Sequence, residues 1–425
     1  MQSDARRGPP LWFLEILQMI RRKHLWKVLY EASAALVLAA CTDGPTEPDA
    51  TSSIPNGAPD ASAVKFWEVG SSVAWNGIAR IYLMAPGRAF NPFVEARVLT
   101  YLSLAQYNAI IAAENGKTRG MHPSRAGAAA GASVVVLEHF FLTAAQQPIS
   151  IDDHLAAQKA GPVWPGEKHQ DFAAGEAIGR AIGAAVVAYA QLDNTNVEPL
   201  PSPQPTGPGF WISSTAPIVR GLFGTRPLAL TTADQFRSPS PPAFGSAVFL
   251  TDLAEVQDLS GTHTPAQVAL AVFWNTKVAR YQNEIATEMI VSHRRSERDA
   301  AHILALANIA GFDALIGCWD AKFTYWYIRP WQVDASIRLP IGAPNHPSYP
   351  SGHSCVTAAY SEILGQTFPD ERPQLAANVE AASQSRINGG LHYRFDLVAG
   401  QVLGRQVAEY VLATDVRGHQ PIPLD

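Results

Sequence analysis

Twice in this chain a capping residue is followed at once by proline and then by a long apolar run, at Asn91-Pro92 and at Thr264-Pro265. That pairing commits the downstream residues to helix. The Asn or Thr side chain accepts an N–H that the first turn leaves unpaired, and proline's missing N–H costs nothing at the first helical position. From Asn91 the pattern runs to Gly116, with Val94, Val98, Tyr101, Leu102 and Ala105 on one face. From Thr264 it predicts helix to about Val291. The same periodicity covers about 126–145 and 171–192. Ser296, with Asp299 three residues on, resembles a capping box that opens a helix towards Trp326. There is no tandem repeat and no alternating series that reads as strands. The fold class is therefore all-α.

With 425 residues and 47% hydrophobic content, the chain can bury one large core or two modest ones. Charged residues make up 16% and the net charge is −5, so no basic surplus points to nucleic acid. Between about 194 and 245 the helical pattern breaks among Pro199, Pro201, Pro203, Pro205, Pro208, Pro239, Pro241 and Pro242. This reads as a long ordered loop, packed down by Phe210 and Trp211. It joins two helical halves, 64–245 and 246–425, which suggests two packed bundles.

The first 41 residues read as an export signal. Arg21, Arg22, Lys23 and Lys27 precede an apolar stretch that closes on Leu38-Ala39-Ala40-Cys41. A cysteine after Leu-Ala-Ala resembles a lipoprotein lipobox, so the expected placement is the bacterial envelope, held to the membrane only by a lipid on Cys41. Met19 is the expected start. A buried helix of a cytosolic enzyme is the competing reading. Residues 42–63 are rich in Pro, Ser, Asp, Gly and Thr and read as a flexible tether. Cys318 and Cys355 are too few for a disulfide framework, and their pairing stays open.

Three clusters in the last quarter carry the chemistry. The first runs from Lys322 to Arg329-Pro330, amid Trp319, Phe323, Tyr325, Trp326, Tyr327 and Trp331. Seven residues make nearly two helical turns, which would put Lys322 and Arg329 on one face, their Cα atoms about 10 Å apart. The aromatic setting implies burial, and buried cations need an anion. A solvated basic face is the alternative. The second cluster is Pro350-Ser351-Gly352-His353, opening a helix to about Phe368. First-turn N–H groups form an anion site there, though Ser-Gly-His before a helix is also an ordinary cap. The third is Ser385-Arg386, then Gly389-Gly390, His392 and Asp396. Asp396 falls four residues after His392, within reach on a helix, and a carboxylate there would orient the imidazole.

Taken together, the order Lys-x6-Arg-Pro, Pro-Ser-Gly-His, Ser-Arg-x5-His resembles the signature of the superfamily that unites vanadium-dependent haloperoxidases with bacterial acid phosphatases and lipid phosphate phosphatases. A looser resemblance to bacterial haloperoxidase-like proteins covers most of 64–412. The resemblance implies a helical bundle of that type and assigns roles. Lys322, Arg329, Ser351, Gly352 and Arg386 would bind the oxygens of vanadate, or of phosphate in its place. His392 would be bonded to the central atom, as vanadium ligand or as phosphate-accepting nucleophile. His353 would be the acid/base. Relatives often form homodimers.

Two chemistries share this cradle. One is oxidation of halide by hydrogen peroxide, with a small organic acceptor of the hypohalous acid and Lys322 polarising the peroxide. The other is phosphate-ester hydrolysis through a phosphohistidine. A helical binding lipoprotein without catalysis is a third reading. Trp319, three residues before Lys322, matches a position that helps line the halide site in fungal chloroperoxidases, and equally reads as core. His346, seven residues before His353, matches a His or another basic residue in algal bromoperoxidases, and equally reads as a surface histidine. By resemblance the pair favours bromide or iodide over chloride. Neither zinc, haem nor nucleotide is implied by any motif.

Overall fold

The structure is a computed structural model and describes residues 70–85, 91–117, 122–143, 146–160, 171–195, 204–415 and 422–424. The export segment, Cys41 and the tether lie outside these residues. Among them are thirteen α-helices and no strand. In chain order these are α1 (Gly70–Leu83), α2 (Pro92–Asn115), α3 (Arg125–Phe140), α4 (Ile151–Lys159), α5 (Phe172–Gln191), α6 (Ala247–Gly261), α7 (Pro265–Trp274), α8 (Ala279–Ser292), α9 (Glu297–Tyr325), α10 (Pro330–Val333), α11 (Gly352–Thr367), α12 (Arg372–Asn388) and α13 (Arg394–Thr414).

The capping residues act as their chemistry dictates. Asn91 accepts from the N–H groups of Phe93 and Val94, and Thr264 forms a reciprocal box with Gln267. Ser296 accepts from Asp299 N, but its hydroxyl then bonds the Asp299 carboxylate, so only half of a capping box forms. At the start of α1 the acceptor comes from elsewhere. Buried Glu297 takes the N–H groups of Ser71 and Ser72 at 3.2 and 2.8 Å, and its charge suits a helix N-terminus.

Helix α9 runs through the middle of the molecule. It is long and apolar enough to cross a membrane, but 94% of its apolar window is buried within the protein, so it is a core helix. Its neighbours are α2, α11 and α13, and the main apolar cluster extends from Trp75 to Val411. α11 and α13 lie almost backbone to backbone. A Cβ at Gly404 would come 2.1 Å from Cys355 O, and one at Gly400 would come 2.6 Å from Ser351 O. The first turn of α11, which carries part of the site, is thereby locked against the second and third turns of α13.

Part of the long loop is held down by one carboxylate. Asp313, fully buried on α9, accepts from the N–H groups of Leu228, Ala229 and Leu230 at 2.9, 2.7 and 3.0 Å. Of the two aromatics expected to pack this segment, Trp211 is 2% exposed, whereas Phe210 is 36% exposed.

Two expected helices are interrupted. The one predicted from Thr264 to about Val291 breaks between α7 and α8. Trp274 O, which would accept from Val278 N in a continuous helix, receives Lys277 N and the ring of His353 instead. The other stops before Arg329. Proline at 330 has no N–H to give Trp326 O, so Trp326 turns left-handed (φ 49°) and its carbonyl accepts from Trp211 N at 2.6 Å. Lys322 and Arg329 therefore do not share a helix face. Arg329 is the residue that precedes α10.

Candidate active site

Lys322, Arg329, His353, Arg386 and His392 lie within electrostatic reach of one another, though by routes that differ from helical spacing. Lys322 points from the last turns of α9 into the 347–350 turn. Its ammonium donates to the carbonyls of Pro347 (3.0 Å), Ser348 (2.6 Å) and Pro350. All three of its N–H bonds are thus engaged, and direct contact with an oxyanion requires exchange of one carbonyl. Burial pushes Lys322 down to about 8.

Arg329 is fully buried and spans the site. It donates to His346 O (3.0 Å), Leu391 O (2.6 Å), His392 Nε2 (3.0 Å) and His346 Nδ1 (3.1 Å). A guanidinium only donates, so His392 Nε2 must carry a lone pair. Its proton therefore sits on Nδ1, which donates to Asp396 Oδ2 at 2.7 Å. His392 is not on the helix, as its spacing to Asp396 first implied. It lies just ahead of α13, after Gly390, where φ is +70° and a Cβ would meet Leu339 and Ile337 at 2.8 and 2.9 Å. Asp396, in the first turn of α13, reaches back to it. The same Oδ2 accepts from Ser348 Oγ at 2.6 Å, a contact that no motif announced.

Arg386, 2% exposed at the end of α12, donates to Ser385 Oγ (3.0 Å) and to Ala271 O (3.2 Å). Ser351 precedes α11 and accepts from Ser354 N and Oγ, leaving its own hydroxyl hydrogen to give. The first-turn N–H groups of Gly352 and His353 have no acceptor within the helix. His353 Nε2 stands 2.8 Å from Trp274 O, so that nitrogen is protonated and Nδ1 is the basic atom. The supporting carbonyls of Ala271 and Trp274 were invisible in the sequence, since any residue type supplies the same acceptor.

Trp319 and His346 do meet, with ring centroids 5.1 Å apart. Lys322 Nζ lies 5.5 Å from the Trp319 ring, and the indole edge fits against Gly352, where a Cβ would come within 3.0 Å. Trp319 Nε1 is buried and has no hydrogen-bond partner. His346 is half-buried beside Arg329, not a free surface residue.

Electrostatically the site is lopsided. Lys322, Arg329 and Arg386 are all buried, and the carboxylate acting on the first two is Asp396 alone. Burial pushes both arginines below their ordinary range, and the Arg329 charge lowers Arg386 further. His346, His353 and His392 are each driven well below the usual histidine value, by burial first and then by the arginines, so all three are neutral. Burial lifts Asp396 to about 6. Three buried cations around one acid, an orphaned indole N–H and a helix N-terminus fit a multiply charged oxyanion such as vanadate or phosphate.

Solved structures that share this architecture include those of two bacterial peroxidases. A bacterial vanadium-dependent iodoperoxidase is 24% identical with a TM-score of 0.66, covering 82% of this chain and 96% of its own. A bacterial vanadium-dependent chloroperoxidase matches in its apo form (15% identity, TM-score 0.60, 78% and 96% covered) and in its holo form (14%, 0.60, 83% and 97%). No protein-family model matches the sequence, and no curated protein matches it. The likeness shows that the chain has the same all-α fold as these peroxidases.

Proposed function

We propose that this protein is a vanadate-dependent haloperoxidase that oxidises bromide or iodide, in preference to chloride, with hydrogen peroxide. The observation that carries the reading is the unprotonated Nε2 of His392, held beside three buried cations that one carboxylate does not balance.

Bound vanadate would supply a Lewis-acidic centre that activates peroxide towards halide without changing its own oxidation state. The chain's residues do the rest. Asp396 and Ser348 hold His392 in the Nδ1–H tautomer, so that Nε2 keeps a lone pair, which an oxyanion would take over from the Arg329 N–H. Arg329, Arg386, Ser351 and the first-turn N–H groups of α11 neutralise the oxyanion's charge. Lys322, on exchanging a carbonyl, polarises the peroxide. Neutral His353 takes up and returns a proton at Nδ1, with its ring fixed through Trp274 O. The buried, partnerless Trp319 N–H beside the His346 ring offers a halide a donor.

The test strips the protein of oxyanion and divides it. One half receives orthovanadate, peroxide, a halide and a phenol indicator, and the other a chromogenic phosphate ester. The expected result is halogenation that needs vanadate, faster with bromide or iodide than with chloride. Ester hydrolysis inhibited by vanadate, with no halogenation, would replace the reading with a phosphohistidine phosphatase.

A further inference from the structure

Two thiols that this chemistry leaves unused lie directly beneath the cradle. Cys318 on α9 and Cys355 on α11 are both free and wholly buried. Cys318 Sγ is 3.6 Å from Pro350 O, the same carbonyl that receives Lys322 Nζ. A Cβ on Gly352 would stand 4.0 Å from that sulfur, so Cys318 packs against the first turn of α11. Cys355 belongs to the same turn, its N–H donating to Ser351 O at 3.0 Å. Its thiol lies alongside Cys318 as a hydrogen-bond partner. From the far side, α13 presses on Cys355 through Gly404, where no Cβ fits. The two thiols are thus neighbours across the contact between α9 and α11.

We propose that Cys318 and Cys355 form a dithiol that hydrogen peroxide oxidises to a disulfide, and that this bond weakens oxyanion binding by shifting the turn at Pro350–Gly352. The pair is chemically unequal. Burial pushes the Cys318 thiol up, but the Cys355 hydrogen bond and the nearby Lys322 charge outweigh it and hold Cys318 below its ordinary value. Burial, with Cys318 beside it, drives Cys355 well above. Cys318, whose sulfur shares the Pro350 carbonyl with the Lys322 ammonium at the cradle, is the attacking sulfur, and Cys355 the resolving one.

In the first step the Cys318 thiolate attacks one peroxide oxygen. The O–O bond breaks, the departing hydroxide takes a proton to become water, and Cys318 is left as a sulfenic acid. In the second, the Cys355 sulfur attacks Cys318, the S–S bond forms and the S–O bond breaks. The hydroxyl leaves with the Cys355 proton as a second water. Two thiols lose two electrons, and one peroxide becomes two waters. A disulfide bond, about 2 Å long, is shorter than any contact between thiols, so closure draws the first turn of α11 towards α9. Pro350, the acceptor for Lys322, and Gly352 move with it.

This inference rests on the proposed function only in bringing peroxide to the cradle. Its test uses the full chain carrying Cys41→Ser, stripped of oxyanion and given neither vanadate nor halide. Peptide mapping by mass spectrometry follows peroxide treatment, and calorimetry measures inorganic phosphate affinity before oxidation, after it, and after dithiothreitol. The expected result is a linked Cys318–Cys355 peptide lacking two hydrogens, with phosphate binding weakened about tenfold and restored on reduction. In Cys355→Ala, dimedone should capture Cys318 as the sulfenic acid, and in Cys318→Ala, Cys355 should stay a thiol. Two free thiols under excess peroxide, or a cross-link with unchanged phosphate affinity, would overturn the proposal. Neither result bears on whether the vanadate-loaded protein halogenates.

Discussion

Ser348 ties two parts of the site together. Its carbonyl accepts from Lys322, and its hydroxyl donates to the carboxylate that holds His392. Removing the hydroxyl leaves Asp396 Oδ2 held only by the His392 ring and Tyr393 N. Ser348→Ala should weaken vanadate binding roughly tenfold by calorimetry, and move the ring ¹⁵N resonances of His392 as the Nδ1–H tautomer loses its hold. Unchanged affinity with unchanged resonances would free Ser348 of any positioning role. Lys322, Arg329, Ser351, Gly352, His353, Arg386 and His392 were legible in the sequence because the type and order of these side chains fix the chemistry. Ser348 was not, since a serine before Tyr-Pro-Ser-Gly-His has no distinguishing pattern. The carbonyls of Ala271 and Trp274 could not be read at all.

Helices were legible where a side-chain cap met a clear apolar pattern, as at Asn91, Thr264 and Ser296, but not where Ser150 and Ser246 cap α4 and α6 without one. The interruptions of helices were not legible. The apolar pattern continues from α7 into α8, and only the competition of His353 for Trp274 O, a contact between distant segments, breaks it. The stop at Trp326 was closer to the surface of the sequence, since Pro330 lies four residues on, but that spacing also suited a helix ending at the proline. α1, α4, α6, α10 and α12 were not read from the sequence. α6 exposes Val248 and Leu250, and α12 buries few apolar residues beyond Leu375 and Val379, so neither shows one clean face. The long loop depends on a contact of a different kind. Asp313→Ala strands three buried N–H groups and should cost about 3 kcal/mol in thermal or denaturant unfolding, with Asp313→Asn costing less. A loss within experimental error would mean that the loop is held by its aromatics.

Across the whole molecule, the cost of the site is its unbalanced charge. Lys322 falls from 10.5 to about 8 on folding, because burial disfavours its charged form. Between those values the unfolded chain binds more protons, so this lysine makes the oxyanion-free fold more stable as pH rises through that window. Below about 8 its penalty is present in full. An anion offsets it. Phosphate near neutral pH should raise the melting temperature by about 3 °C at saturating concentration, and by less at about pH 9, where Lys322 is neutral. An equal rise at both pH values would show that Lys322 takes no part. The site also leans on its periphery. Ala271 O and Trp274 O, which steady Arg386 and His353, both belong to α7, and of its ten residues only those two are buried. A charge that binds and an imidazole that moves protons thus hang from one outlying peg. Whatever loosens that peg changes both in step, so natural variation along a surface helix can retune the chemistry while every residue of the signature stays the same.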